Sequence, residues 1–172
     1  MKPSIFISLI TLIYSSAAAY GQDSTAADYF KKGEYHLANA DYEIAVVQIS
    51  KAISIDASDP NFFLQRGFCF NILKNHEEAI SDFTSAINLA PDNKFAYLSR
   101  GSAKNKTGQF ESAIADFNKV LDLDPNDQEA FNNRGFSKKE LGDSSGACED
   151  WKKSKKLGNK EAPIILKNNH CK

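Results

Sequence analysis

Residues 60–93 read PNFFLQRGFCFNILKNHEEAISDFTSAINLAPDN, and residues 94–127 read KFAYLSRGSAKNKTGQFESAIADFNKVLDLDPND. Laid one under the other without a gap, they place Gly67 over Gly101, Ala79 over Ala113, Phe83 over Phe117 and Pro91 over Pro125. The step is 34 residues, and it continues in both directions: the glycines are Gly33, Gly67, Gly101 and Gly135, and the alanines are Ala45, Ala79, Ala113 and Ala147. With only 9 glycines in 172 residues, three further hits at one fixed step have odds of about 10⁻⁴, so the chain is an internal repeat. Aromatics stand four residues before each glycine (Tyr29, Phe63, Tyr97, Phe131). A large apolar residue stands four after each alanine (Ile49, Phe83, Phe117, Trp151), and a small or β-branched one three further on (Ala52, Ala86, Val120, Ser154).

Steps of four and three put these residues on one helical face. Each unit is therefore two helices, the first bearing the glycine and the second the alanine. Gly108 and Gly142 mark turns between them, where a helix ends in a left-handed residue. The expected pairs are 26–39 with 41–56, 60–73 with 76–89, 94–107 with 110–123, and 128–141 with 144–157. Close approach explains the small columns: a glycine on the first helix is expected to face an alanine on the second, letting the backbones come near. One hairpin buries too little to stand alone and packs on the next.

This arrangement resembles the tetratricopeptide repeat, a 34-residue helix–turn–helix with an aromatic, Gly, aromatic, Ala, aromatic, Ala, Pro signature. Phe63, Gly67, Phe70, Ala79, Phe83, Ala86 and Pro91 carry it in one copy; Tyr97, Gly101, Gly108, Phe110, Ala113, Phe117 and Pro125 carry it in the next. The resemblance spans residues 26–157 and implies an all-α fold, a right-handed α-solenoid of four such hairpins plus a C-terminal capping helix. Repeats fall at about 26–59, 60–93, 94–127 and 128–161. The end copies depart from the pattern, with Ala57 and Asn159 in the proline column and Ala40 where the third copy has Gly108. Residues 161–171, EAPIILKNNHC, read as the cap, with Pro163 in its first turn and Ile164, Ile165 and Leu166 covering the last repeat.

The N-terminus belongs to a different class of signal. Lys2 precedes the apolar run IFISLITLIY (5–14), and SSAAA (15–19) follows. This is the pattern of a signal peptide, and the run is too short to cross a bilayer, which needs about 20 residues. Cleavage after Ala19 or after Gly21 places alanine at the third position before the cut. The second choice defines residues 1–21 as signal peptide and 22–172 as the repeat domain. The closing segment GACEDWKKSKKLGNKEA is similar to the last repeat of exported bacterial tetratricopeptide proteins, which implies a periplasmic or secreted protein.

Charge and chemistry exclude several functions. The formal net charge is −1. Loss of residues 1–21 removes one basic residue of 21, Lys2, and none of the 22 acidic ones, so the mature chain carries −2. No field is available to attract nucleic acid or an anionic membrane. No nucleophile–base pattern, phosphate loop or acid pair on one helix face appears, so the chain reads as non-catalytic, without cofactor and without metal. His36, His76 and His170 sit on different repeats, and zinc at His170, Cys171 and Cys148 lacks a fourth ligand. Asn105-Lys106-Thr107 matches a glycosylation acceptor, meaningful only in a host that glycosylates.

Three cysteines, Cys69, Cys148 and Cys171, allow one internal bridge with a thiol left over. On the implied fold, Cys148 and Cys171 meet between the last repeat and its cap, either as a disulfide or as two packed thiols; Cys69 is expected to be a buried free thiol. A basic residue precedes each glycine (Lys32, Arg66, Arg100, Arg134), and Asp82, Asp116 and Asp150 recur on the second helices, with Gln48 in the first copy. Arg66–Asp82, Arg100–Asp116 and Arg134–Asp150 pairs are expected, as scaffolding rather than a binding stripe. At the surface each pair would contribute about 0–1 kcal/mol.

Similar repeats bind extended segments along the inner face of their first helices. The residues this implies here are Phe30, Glu34, Leu37, Leu64, Phe68, Asn71, Leu98, Ser102, Asn105, Asn132, Phe136 and Lys139. They combine apolar anchors with amides able to bond a partner's backbone. Phe30, Leu64 and Leu98 stand in columns where relatives that clamp a C-terminal carboxylate want a lysine, so chaperone-tail recognition of that type is not expected. The expected function is a scaffold for a partner protein or peptide. The competing reading is an accessory subunit of an envelope complex that docks through its outer helices.

Overall fold

The structure is a computed structural model that describes residues 25–171; the signal-peptide reading of residues 1–21 lies outside them. Among the described residues there are nine helices and no strand: α1 (Ala26–Ala38), α2 (Tyr42–Ile55), α3 (Pro60–Ile72), α4 (His76–Leu89), α5 (Lys94–Lys106), α6 (Phe110–Leu123), α7 (Gln128–Glu140), α8 (Ser144–Lys156) and α9 (Ala162–Asn168). Each helix packs on the next along the chain, so four antiparallel pairs stack in order and α9 closes on α8. The architecture is an all-α helical-repeat solenoid.

The periodicity extends to the helix ends. Thr25, Asp59, Asn93 and Asp127, each 34 residues apart, are the N-caps of α1, α3, α5 and α7, and each side chain accepts a backbone N–H of the first turn. Such caps typically contribute about 1 kcal/mol each. Thr25 and Asp28 form a reciprocal capping box, which holds the Asp28 carboxyl below its ordinary pKa. At the turn between the paired helices the left-handed residue recurs as Ala40 (φ 61), Lys74 (φ 65), Gly108 (φ 76) and Gly142 (φ 86). Only the last two are glycine.

The glycine column packs differently from expectation. A Cβ on Gly33 would meet Ile49 Cγ1 at 2.5 Å, on Gly67 Phe83 Cε1 at 2.9 Å, on Gly101 Phe117 Cε1 at 2.7 Å, and on Gly135 Trp151 Nε1 at 2.6 Å. Each glycine thus has as its nearest neighbour the large side chain sixteen residues later; at Gly33 the alanine twelve later is also in reach, through the Ala45 carbonyl oxygen at 3.5 Å. The alanines Ala45, Ala79, Ala113 and Ala147 are fully buried nonetheless. The glycine makes room for a large buried side chain of the second helix, where any methyl would overpack.

The cap also differs in detail. It is a seven-residue helix, Ala162–Asn168, shorter than the 161–171 span expected. Ala162 is buried and Ile165 and Leu166 are half-buried, but Ile164 is 63% exposed and covers nothing. A helix this short is not stable alone. A disulfide from Cys171 to Cys148 on α8 tethers it, with Cα atoms 5.5 Å apart. Cys69 is free and buried, and burial pushes its thiol up to about 11, so it is protonated and inert at neutral pH.

Candidate partner-binding groove

The first helices line one face of the stack, since α3 touches α5 and α5 touches α7. Of the twelve residues expected on that face, the structure divides them by role. Phe30, Leu37 and Leu64 are half-buried and packed on the core, Phe30 with its ring centroid 4.5 Å from that of Phe62. They are core rather than groove. Leu98 is half-buried and Glu34 is exposed. Phe68 and Phe136 are 45% and 43% exposed, and Phe136 meets Phe110 edge-on at 6.2 Å.

Two of the amides expected to bond a partner are already engaged. The Asn71 Oδ1 lies 2.9 Å from His76 Nδ1. Asn105 Nδ2 donates to the Asn133 carbonyl at 3.3 Å, and Asn105 Oδ1 accepts from the buried Ser137 hydroxyl at 2.7 Å, so this side chain ties α5 to α7.

Ser102, Asn105, Asn132, Phe136 and Lys139 do come together. They line one cavity of about 340 Å³, joined there by Lys106, Asn133, Trp151, Ile165 and Asn169. The additions come from α8 and the cap, which column reading alone does not bring to the inner face. A second recess of about 380 Å³ shares Asn132 and Asn133 and runs to Gln128, Glu129 and the 158–161 turn. The backbone carbonyl of Asn132 accepts the Trp151 indole N–H at 3.1 Å, while its Oδ1 is buried with no hydrogen-bond partner.

The Arg and Asp columns meet as forked pairs. Arg66 donates Nε and Nη2 to Asp82 at 2.8 and 2.7 Å, Arg100 to Asp116 at 3.0 and 2.7 Å, and Arg134 to Asp150 at 2.9 and 2.7 Å. These are not surface pairs: each aspartate is only 4% exposed. The remaining Nη1 reaches back to the preceding hairpin, to Ser50, Thr84 and Asn118 respectively. Each arginine therefore fastens two neighbouring hairpins. Lys104 and Lys138, in the column held by Phe70 in the second copy, add an ammonium to Asp116 and Asp150 at 2.9 and 2.8 Å. The signal for them was present four residues after each arginine. All of this chemistry is structural, spent between helices. No cluster of three or more His, Cys, Asp or Glu placed to hold a metal occurs among the described residues, and no described helix is long and apolar enough to cross a membrane.

Comparison with known proteins follows the same lines. Residues 61–93 match a family model described as tetratricopeptide repeat, and residues 101–142 match a second, described as TPR repeat. No curated protein sequence matches the chain. Among solved structures, the fold is similar to YrrB, described as a TPR protein with an unusual peptide-binding site (20% identity, TM-score 0.80, covering 86% of this chain and 76% of that one). It is similar to MamA (19% identity, TM-score 0.77, 83% of each chain). It is also similar to the first TPR of Spaghetti (RPAP3), solved with the HSP90 peptide SRMEEVD (29% identity, TM-score 0.66, 70% of this chain and 96% of that one).

Proposed function

Because this chain is a tetratricopeptide repeat protein, we propose that it is a non-catalytic scaffold that holds an extended segment of a partner protein along α3, α5 and α7. The observation that carries this is two exposed rings on the first helices, Phe68 and Phe136, the second of them lining a cavity that mixes apolar and amide groups. A large aromatic left half in water on a concave face is an anchor awaiting a complement. The peptide-binding site described for YrrB and the HSP90 peptide bound to the first TPR of RPAP3 support the same reading. Export agrees with the N-terminal pattern and with a disulfide, which persists in oxidising compartments.

The test is binding of the mature chain to an array of partner-derived or random ten-residue peptides, repeated with Phe68→Ala and Phe136→Ala. Binding that falls at least tenfold in the variants, with helix content unchanged, supports the groove.

A second reading has its own observation. Ile44, Val47 and Ile55 on α2 are exposed on the outer side of the stack, an apolar stripe suited to docking within an envelope complex. Association that survives loss of both rings and disappears with Val47→Asp would favour this outer surface.

A further inference from the structure

We propose that the cavity enclosed by α5, α7, α8 and α9 is the anchor pocket for a partner segment bearing a carboxylate beside an apolar residue, and that the Cys148–Cys171 disulfide keeps this pocket assembled. The inference rests on the scaffold reading and says which stretch of the groove binds, and what it takes.

Charge comes first. Lys106 and Lys139 are the only charged side chains lining the cavity, and neither forms an ion pair among the described residues. Their neighbours Lys104 and Lys138 are engaged in ion pairs with Asp116 and Asp150, which each also hold an arginine. Both lysines are exposed at the rim of the cavity, where two positive charges at one opening attract an anion in preference to a cation. Beside them Phe136, Trp151 and Ile165 supply an apolar wall. The volume of about 340 Å³ lies within the range of specific ligand sites.

The occupant is a polypeptide rather than a small acid. The cavity and the second recess share Asn132 and Asn133, so together they run along α7 from Gln128 to Lys139. At 1.5 Å per residue that is about 16 Å, room for about five residues of extended chain. Asn132, at the junction, has a buried Oδ1 with no donor. That oxygen is closed to solvent, so a peptide N–H bonds it only once the Asn132 side chain turns toward the recesses, which would relieve an unpaired buried acceptor.

The wall nearest the C-terminus is conditional. Ile165 and Asn169 belong to α9, whose seven residues depend on Cys171 and Cys148 for their place. A small dithiol attacks the bridge, gives up two electrons and two protons, and leaves as its own disulfide. Cys148 and Cys171 become thiols, and α9 is then held by packing alone.

The experiment uses the mature chain and three ten-residue peptide libraries, each with a fixed leucine followed by Asp/Glu, Asn/Gln or Lys, prepared with free and amidated C-termini. The acidic library should bind at least tenfold more tightly than the amide library. Lys106→Gln and Lys139→Gln should each weaken it several-fold, and reduction with dithiothreitol at least tenfold. Ile165→Ser in the oxidised protein removes the same wall without touching the bridge and should weaken it comparably. Loss on amidation assigns the carboxylate to a chain end, and indifference to amidation assigns it to a side chain; both support the pocket. Peptide binding with no preference for acid, or unaffected by Lys106→Gln with Lys139→Gln, overturns the pocket and leaves the scaffold reading standing. Failure of all three libraries overturns both.

Discussion

Gly101 lies directly beneath the ring of Phe117: a Cβ there would sit 2.7 Å from Cε1 and 2.9 Å from Cζ. Neither atom belongs to a flexible chain end that can swing aside, and the ring is fully buried. Gly101→Ala gains about 1 kcal/mol of helix propensity but overpacks the hairpin by about 1–3 kcal/mol. A net loss is expected in urea unfolding. Adding Phe117→Leu to Gly101→Ala should recover part of it, since the two changes share one space and are not additive. A Gly101→Ala protein as stable as the parent would mean the ring is not held where it lies.

The Asp116 carboxylate stands between Arg100 and Lys104, whereas Asp82 faces Arg66 alone. Removing one partner of a buried ion pair costs about 3–5 kcal/mol, because the other charge stays buried unpaired. Asp116→Asn strands two cations and Asp82→Asn one. The stranded Arg66 also keeps the rings of Phe63 and Phe70 at 5.9 and 5.7 Å. Asp116→Asn is therefore expected to be the more destabilising of the two in parallel denaturant titrations. Equal losses would show that Lys104 contributes nothing to the site.

How much of this was readable beforehand follows from what a period carries. The 34-residue step marked helices, turns and the Arg and Asp columns, because equivalent residues occupy equivalent places in every hairpin. It did not say which of two neighbouring columns Gly101 faces, since alanine and phenylalanine on the second helix both lie within reach of a one-turn shift. Nor did it separate Phe30 and Leu64, which pack on the core, from Phe68 and Phe136, which do not. Phe30 and Leu64 stand three residues before their glycine and Phe68 and Phe136 one after it, and the packing shows that the first column turns toward the core. The Asn105 amide looked free because its partners, Ser137 and the Asn133 carbonyl, are about thirty residues away on α7. The cavity itself needed the cap, which breaks the repeat and so lies beyond any column.

The Cys148–Cys171 bridge spans 23 residues. Closing a loop of that size restricts the unfolded chain by an amount worth about 3 kcal/mol. Cys148→Ser with Cys171→Ser should lower stability by up to that amount. Hydrogen exchange of the α9 amides should accelerate well before that of α3 or α5, since local opening at a frayed end costs less than global unfolding. Cys69 should remain unreactive toward a thiol reagent in both folded proteins, because burial keeps it protonated. Uniform acceleration along the whole chain would contradict a local role for the bridge.

Lys94 reaches across to Asp124 and Asp127 at the boundary of the third and fourth repeats. The Lys94 hydrogen bond, then the Asn126 N–H, hold the Asp124 carboxyl below its usual value of 3.8. A carboxylate with a lowered pKa contributes stability above that usual value and loses it as pH falls through the lower one. The stability gap between the parent and Asp124→Asn should thus be full at pH 7 and shrink as the pH falls below 3.8 and through the lowered value. The group is exposed, so 1 M salt should also narrow the gap at pH 7. A gap that ignores both acid and salt would make the effect one of packing.

Ala40 and Lys74 hold the left-handed conformation that Gly108 and Gly142 hold in the later repeats, at φ 61 and 65. For a residue with a Cβ this region costs about 1–2 kcal/mol. Glycine avoids that cost but gives back part of it through the greater freedom of the unfolded chain. At Gly108 and Gly142 the position opens onto free space, so a side chain there makes no contact that would repay the strain. Ala40→Gly and Lys74→Gly are each expected to raise stability by about 0.5–1 kcal/mol, additively, because the two turns lie in different hairpins. Thermal melts of the two single variants and the double variant check this. A loss on either substitution would mean that the alanine or lysine side chain earns its strained backbone through a contact elsewhere.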